Sequence, residues 1–181
     1  MVGPSPLLPR LYAGLDLDKD YNEKGRDIRM KKVHIIPKEQ AAFWLDKNGF
    51  WHTGPTKFEN RKIINHFHSC IRYDESGYHL RQEHRHYIEK VYFHCEDTAL
   101  FVLQVLKKED IILVLNTGKR MKLKPRRLFT CNDNLYMYSG REIIKFTEGA
   151  MITIASELED ENAVLSIRVK GRRYQIPDAH E

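Results

Sequence analysis

Residues 43–87 and residues 129–176 resemble each other, and this internal similarity constrains the fold more than any other feature. Each segment reads as a hairpin that ends in glycine, then a helical stretch, then a second hairpin. The opening hairpins read FWLDKNGFWHTG and FTCNDNLYMYSG. The matching positions in the later hairpins are Arg81 and Arg168, Arg85 and Arg172, and Tyr87 and Tyr174. We therefore expect a hairpin–helix–hairpin motif that occurs twice, the alternative being two unrelated units that share turn residues by chance.

Local signals predict where the elements of the first segment begin and end. Asn48 and Gly49 tolerate the positive φ that a tight hairpin turn requires. Thr56 lies three residues before Glu59, which is the spacing of a capping box, so a helix is expected to begin after Thr56. Apolar residues at helical spacing follow, namely Ile63, Ile64, Phe67 and Ile71.

The stretch between the two segments is rich in strand signals. Residues 88–94 alternate in polarity, and residues 100–106 and 111–115 are nearly all apolar. Short polar turns separate these runs, which predicts a central antiparallel meander and an α+β class with two helices. We divide the chain into an N-terminal arm at residues 1–40, a first unit at residues 41–90 and a second unit at residues 91–181.

Composition places this chain among globular proteins. Its 181 residues include 41% hydrophobic residues and carry a formal net charge of +5, which permits an acidic partner without requiring one. Cys70, Cys95 and Cys131 have no paired spacing, so free thiols in a reducing cytoplasm are expected. No apolar run has transmembrane length, and prolines interrupt the N-terminal apolar residues, so neither a membrane span nor a secretion signal is predicted.

An acidic, polar run occupies part of the N-terminal arm. Five of its residues match ligand positions of a calcium-binding loop, namely Asp16, Asp18, Asp20, Asn22 and Asp27. Tyr21 stands where that loop needs glycine, and Asp27 is too short to replace the bidentate glutamate. A solvated acidic loop is therefore favoured over a calcium site.

Several motifs follow one another in order between residues 41 and 176. They are FWLDKNGFWHTG, a helix, a hairpin, Glu89-Lys90-Val91, and Glu96-Asp97 before an apolar strand. This order resembles a bacterial family that carries a domain-of-unknown-function label. The resemblance implies a compact α+β protein of repeated motifs, one part of it similar to pleckstrin-homology domains, with a role in signalling. Cys95 and residues 98–100 depart from the family's pattern.

Histidine is the most concentrated chemical signal, since seven of the nine histidines lie between residues 52 and 94. His66 and Cys70 are one helical turn apart, and His84 and His86 share a strand face. If three or four such groups converged they would form a zinc site, and a metal-dependent hydrolase is the least favoured function. Cys70 also fits as a small core residue beside the apolar stripe. We predict no metal and no cofactor.

Nucleic-acid binding is the main alternative function. Residues 119–127 are basic, and tyrosines such as Tyr136 and Tyr174 offer faces on which bases could stack. Met121 and Leu123 alternate with the cations, which is equally typical of an exposed edge strand that charge protects from aggregation. Glu89, Glu96 and Asp97 could work as acid and base, although turn and strand-end roles explain them as well.

The predicted function is a non-catalytic cytoplasmic binding module, with the signalling role that the resemblance implies. Two related halves that meet over a meander leave a cleft between them. Arginines that converge there would bind a small anionic ligand or a protein or peptide partner, whereas solvated strand faces remain the alternative. The candidate ligand-binding residues are Arg81, Arg85, Arg168, Arg172, Lys90, Glu96 and Asp97.

Overall fold

Residues 31–162 and 164–179 are described by a computed structural model, and within them four β-sheets surround a shared core with two α-helices. The predicted α+β class is confirmed, with strands in the majority. The acidic run at residues 16–27 lies outside the described residues, and so does most of the predicted arm. The end of that arm, Lys32–Ile36, forms strand β1.

The first sheet, which we call the N-terminal sheet, has the order β1-β7-β6-β5. Its other strands are β5 (Ile71–Asp74), β6 (Gly77–Glu83) and β7 (Tyr87–Tyr92). β1 pairs parallel to β7, while the other pairs are antiparallel. Residues 88–94, which were predicted to begin the central meander, therefore lie mostly in this separate sheet, because β7 pairs with β6 and β1.

The second sheet, which we call the hairpin sheet, has the order β4-β3-β2-β8. Its strands are β2 (Trp44–Leu45), β3 (Trp51–Thr53), β4 (Thr56–Lys57) and β8 (His94–Cys95). The predicted turn between β2 and β3 is confirmed: Gly49 has a φ of +83° and donates its amide to Asp46 at 3.0 Å. β2 pairs parallel to β8, which carries the chain towards Glu96 and Asp97.

Helix α1 (Arg61–Cys70) begins later than the capping-box spacing predicts. Asn60 caps it, because the Asn60 side chain accepts hydrogen bonds from the amides of Lys62 and Ile63. Thr56 is instead held in β4, where it pairs with Thr53. An asparagine side chain at the N-cap satisfies helix amides as well as threonine does, so the tertiary pairing of β4 decides which residue is used.

The third sheet, which we call the central sheet, has six strands in the order β11-β10-β9-β14-β13-β12 and curls into a half-barrel. The strands are β9 (Leu100–Lys107), β10 (Ile111–Leu115), β11 (Arg120–Lys122), β12 (Leu128–Cys131), β13 (Asn134–Ser139) and β14 (Glu142–Phe146). Two antiparallel meanders join through the parallel pair β9–β14. Buried Asn116 fixes the entry to β9, because its side chain accepts from the Phe101 amide and donates to the Ala99 carbonyl.

Helix α2 (Glu148–Ile154) follows β14 and packs on β9. The Thr147 hydroxyl caps it by accepting from the Ala150 amide. The fourth sheet, which we call the C-terminal sheet, then forms from β15 (Leu158–Glu161), β16 (Val164–Val169) and β17 (Arg172–Gln175). No helix in the described part of the chain has the length and apolarity needed to cross a bilayer.

Aromatic side chains fill the core beneath the hairpin sheet. Trp51, which is 1% exposed, packs against Phe67 and Phe93 with ring centroids 5.4 Å and 4.8 Å away. Phe43 contacts the same three rings. The cluster continues without a break into the central sheet and as far as Ile176, so hydrophobic burial links both predicted units.

Candidate ligand-binding site

Glu96 and Asp97 occupy the connection between β8 and β9. The Glu96 amide donates to the Leu45 carbonyl at 3.0 Å, which extends the parallel pairing of β2 with β8 by one residue. The Glu96 carboxylate in turn accepts the Lys47 amide at 3.0 Å. The β2–β3 turn therefore holds Glu96 in place, and Asp97 is directed to the other side of the connection, towards the central sheet.

Asp97 joins two side chains of the central sheet in one hydrogen-bonded cluster, which we call the Asp97 cluster. Its Oδ2 accepts from the Tyr136 hydroxyl at 2.8 Å and from the Lys145 ammonium at 3.0 Å. Lys145 also donates to the Lys47 carbonyl at 3.0 Å, and its side chain is only 8% exposed. Tyr136 and Lys145 are cross-strand partners on β13 and β14, which brings both to the same carboxylate.

A cavity of about 500 Å3 opens beside the Asp97 cluster. Its polar lining includes Lys47, Glu96, Asn132 and Asn134, and the Phe129 ring contributes an apolar wall. The Asn132 and Asn134 amides are carried by the β12–β13 turn. Asn132 has a φ of +48°, in the left-handed region that asparagine tolerates better than most residues. Two lysines and two carboxylates thus face one cavity of ligand size.

The Asp97 cluster has a defined pattern of hydrogen-bond donors. Burial raises the pKa of the Tyr136 phenol, and its hydrogen bond to Asp97 raises that pKa further. The phenol therefore stays protonated and acts as a donor near neutral pH. Lys145 donates to the same Asp97 oxygen and to the Lys47 carbonyl. The two donors therefore hold the Asp97 carboxylate in a fixed position beside the cavity.

A second cluster, with the same aspartate, lysine and tyrosine types and an additional histidine, lies in the N-terminal sheet, and we call it the Asp74 cluster. Asp74 Oδ2 accepts from Lys90 at 3.0 Å and from the Tyr92 hydroxyl at 2.9 Å, and buried His79 lies 3.6 Å away. The hydrogen bond from Lys90 is the main reason that the pKa of Asp74 falls to about 2. Lys90, one of the sequence candidates, is thus engaged here and does not line the cavity beside Asp97.

The four candidate arginines lie in or beside two different sheets. Arg81, on β6, pairs with Glu83 at 2.5 Å, and Arg168, on β16, pairs with Glu159 at 2.6 Å. Arg85 lies exposed in the connection between β6 and β7, and Arg172 lies exposed at the start of β17. None of them lines the cavity beside Asp97. The first two are neutralised by carboxylates of their own sheets.

The histidine-rich stretch is dispersed in the structure. His66 Nε2 lies 3.7 Å from Cys70 Sγ, as the helical spacing predicts, and burial raises the pKa of the Cys70 thiol. The prediction that His84 and His86 share a strand face was wrong, because both lie in the connection between β6 and β7. His84 stacks on Tyr87 with ring centroids 4.4 Å apart, and His86 is exposed. Across residues 31–162 and 164–179, no three histidine, cysteine or carboxylate side chains come together as metal ligands would.

The basic stretch at residues 119–127 lies along one side of the central sheet. β11 is the edge strand there, with Arg120 and Lys122 exposed. Met121 and Leu123 turn inwards, and Lys122 forms an ion pair with Asp110. This is the arrangement that the alternation of cations and apolar residues predicts for a protected edge strand.

Sequence reasoning found one half of the site and missed the other half. Glu96 and Asp97 were candidates, whereas Lys145 was not, and Tyr136 was considered only as a stacking surface. The available signal for Lys145 was its position inside the otherwise apolar run EIIKF, since a charged residue that a buried strand retains requires a partner. Sequence spacing does not identify that partner, because Asp97 lies 48 residues earlier.

No protein-family model matches the chain, and no curated protein is similar to it. Among solved structures, it is similar to a DUF1285 family protein from Silicibacter pomeroyi, with a TM-score of 0.58 and 12% sequence identity over 86% of this chain and 89% of the other. A DUF1285 family protein from Shewanella baltica gives a TM-score of 0.48 and 15% identity over 65% of this chain and 93% of the other. The first of these similarities shows a shared fold.

Proposed function

We propose that this chain belongs to the domain-of-unknown-function family of its structural neighbours and acts as a non-catalytic module that binds a small polar molecule. The observation that carries the proposal is the Asp97 cluster beside a cavity of about 500 Å3. Buried hydrogen-bonded charges are costly to fold, and they are commonly found where a protein fixes a ligand. The family assignment is supported by the shared fold and by the order of sequence motifs.

The lining indicates the chemistry of the ligand. Within the described residues both hydrogen bonds to Asp97 are accepted by Oδ2, so Oδ1 remains able to accept a donor group. Glu96 offers a second acceptor, while Lys47 and the amide of Asn134 offer donors. With equal numbers of lysines and carboxylates, the cavity suits a small molecule that carries both an ammonium and a carboxylate group, such as a free amino acid.

The proposal extends to the location of the protein and to its architecture. We propose a cytoplasmic location, which Cys70 and Cys95 support because neither forms a disulfide in the described part of the chain. The proposed repeat is supported by the order of elements, since three strands, a helix and three strands occur from β2 to β7 and again from β12 to β17. A pleckstrin-homology-like part would comprise the curled central sheet and α2. The proposed signalling role follows from the resemblance in motif order, and the proposed domain boundaries near residues 40 and 90 follow from the sequence patterns.

A ligand screen tests the binding proposal. Free amino acids, simple amines and monocarboxylates are added to the purified protein, and thermal shifts and calorimetric titrations are recorded. We expect amino acids to raise the melting temperature, because a ligand at 100 times its Kd adds about 2.7 kcal/mol of stability. Amines or carboxylates alone should act more weakly.

Matched variants localise the response to the cavity. Asp97→Asn removes one charge of the cavity, and Asp74→Asn makes the same change in the Asp74 cluster. Exposed Lys47 provides a further variant, Lys47→Ala, that leaves the core intact. We expect Asp97→Asn and Lys47→Ala to weaken binding and Asp74→Asn to preserve it. Equal responses in Asp97→Asn and the unmodified protein would show that the ligand binds elsewhere.

A further inference from the structure

A second cavity, of about 340 Å3, lies where α1 passes into β5 and faces one end of the central sheet. The turn between β10 and β11 and the turn between β13 and β14 form its other walls. Its polar lining consists of Arg72, Lys119, Ser69, Thr117, Ser139 and Glu142. Buried apolar residues such as Leu115 line the remainder. This cavity shares no lining residue with the one beside Asp97.

Arg72 is held in place by neutral partners. Its Nη1 donates to the Ser69 carbonyl at 2.9 Å and to the Ile71 carbonyl at 2.6 Å. Carbonyl oxygens fix the plane of the guanidinium without cancelling its charge, and Nη2 and Nε remain able to donate. A guanidinium that is fixed in this way is well suited to bidentate recognition of an oxyanion.

The two cations of this cavity differ from the ion-paired arginines elsewhere. Within residues 31–162 and 164–179, neither Arg72 nor Lys119 has a carboxylate within ion-pair distance, whereas Arg81 and Arg168 each have one. Glu142 is half-buried in the same cavity, and burial raises its pKa, although Lys119 acts in the opposite direction. With Glu142 ionised, two positive charges oppose one negative charge, so the lining is net positive.

We propose that this cavity binds the phosphate group of a phosphorylated small molecule. A phosphate monoester presents several oxygens that the arginine fork, the lysine and the hydroxyl groups of Thr117 and Ser139 can bind, whereas the Ser69 hydroxyl already donates to the His66 carbonyl. The apolar wall near Leu115 and Met121 would contact the organic part of the ligand. Tyr73, 42% exposed on the rim, offers a face for a ring in that part. This proposal is independent of the amino-acid site beside Asp97.

Calorimetric titration with phenyl phosphate tests the proposal, with inorganic phosphate as the comparison ligand. We expect phenyl phosphate to bind more tightly than inorganic phosphate, because only the former uses the apolar wall. Arg72→Gln and Lys119→Gln should each weaken binding about tenfold or more, since each removes a charge-assisted contact. Lys119 lies on an exposed turn, so Lys119→Gln is expected to fold and still tests the proposal if Arg72→Gln does not fold.

Two further variants separate a built site from general attraction to a basic protein. Arg81→Gln removes the same charge from neighbouring strand β6 and should leave the affinity unchanged. Glu142→Gln removes the opposing charge and should tighten binding by about threefold or more. The proposal is overturned if phenyl phosphate does not bind, if Arg81→Gln weakens binding as much as Lys119→Gln, or if Glu142→Gln weakens it. These outcomes do not bear on the Asp97 site.

Discussion

Asp97→Asn is expected to destabilise the fold because it leaves the Lys145 ammonium without its counter-ion. The asparagine side chain still accepts a hydrogen bond from Tyr136, so the change removes charge and little else. Removing one partner of a fully buried ion pair costs about 3–5 kcal/mol. Lys145 is 8% exposed and Asp97 28% exposed at the side chain, so partial solvation of the carboxylate reduces the expected loss to about 2–3 kcal/mol.

Urea unfolding followed by tryptophan fluorescence measures this loss, because Trp51 reports directly on the core. At about 2–4 °C per kcal/mol for a chain of this size, the melting temperature should fall by about 4–12 °C. Lys145→Met and the double variant complete a thermodynamic cycle, in which the double variant should be less destabilised than the sum of the two single changes.

Glu83→Gln is the matched control for the cycle, since it breaks the more exposed pair with Arg81 and should cost less than about 1 kcal/mol. The reasoning is refuted if Asp97→Asn is no more destabilising than Glu83→Gln. It is also refuted if the two single changes at Asp97 and Lys145 add without coupling. Either outcome would mean that water, and not the carboxylate, stabilises the charge of Lys145.

Three further predictions concern backbone geometry, a buried amide and acid stability. Gly49→Ala should cost about 2–4 kcal/mol of unfolding free energy, because φ is +83° and the new Cβ would lie 3.0 Å from the buried Phe101 ring. Gly54→Ala is the control: it also has a positive φ but open space around it, so it should cost about half as much or less. Asn116→Ala should cost about 2–4 kcal/mol by leaving a buried amide and a buried carbonyl unpaired, and a loss below 1 kcal/mol in urea unfolding would contradict that account. The hydrogen bond from Lys90 lowers the folded-state pKa of Asp74 from 3.8 to about 2, so Asp74 stabilises the fold above pH 3.8 and this stabilisation is lost as the pH falls towards 2. Asp74→Asn should remove that part of the pH dependence of the unfolding free energy. An unchanged dependence of the unfolding free energy on pH would contradict this account.

The sequence predicted the elements whose cause is local. The Asn48-Gly49 turn and the strands β9 and β10 lie where their residue patterns place them. Ile63, Ile64 and Phe67 lie in α1 as predicted, whereas Ile71, the last residue of the predicted stripe, begins β5. The predicted start of α1 was wrong, because Thr56 lies in β4 and Asn60 caps the helix. The strand at residues 88–94 was recognised as a strand, but its sheet was not, since side-chain alternation does not specify a pairing partner.

Sequence alone thus determined the α+β class, the turn positions and the presence of Glu96 and Asp97 just ahead of an apolar strand. These follow from backbone preferences and hydrophobic periodicity within a few residues. Tertiary structure decided which charges meet. The parallel pairing of β9 with β14 brings Lys145 beside Asp97, while Arg81 and Arg168 are placed in separate sheets. Strand pairing between distant segments depends on how whole faces pack together, and no short stretch of sequence carries that information.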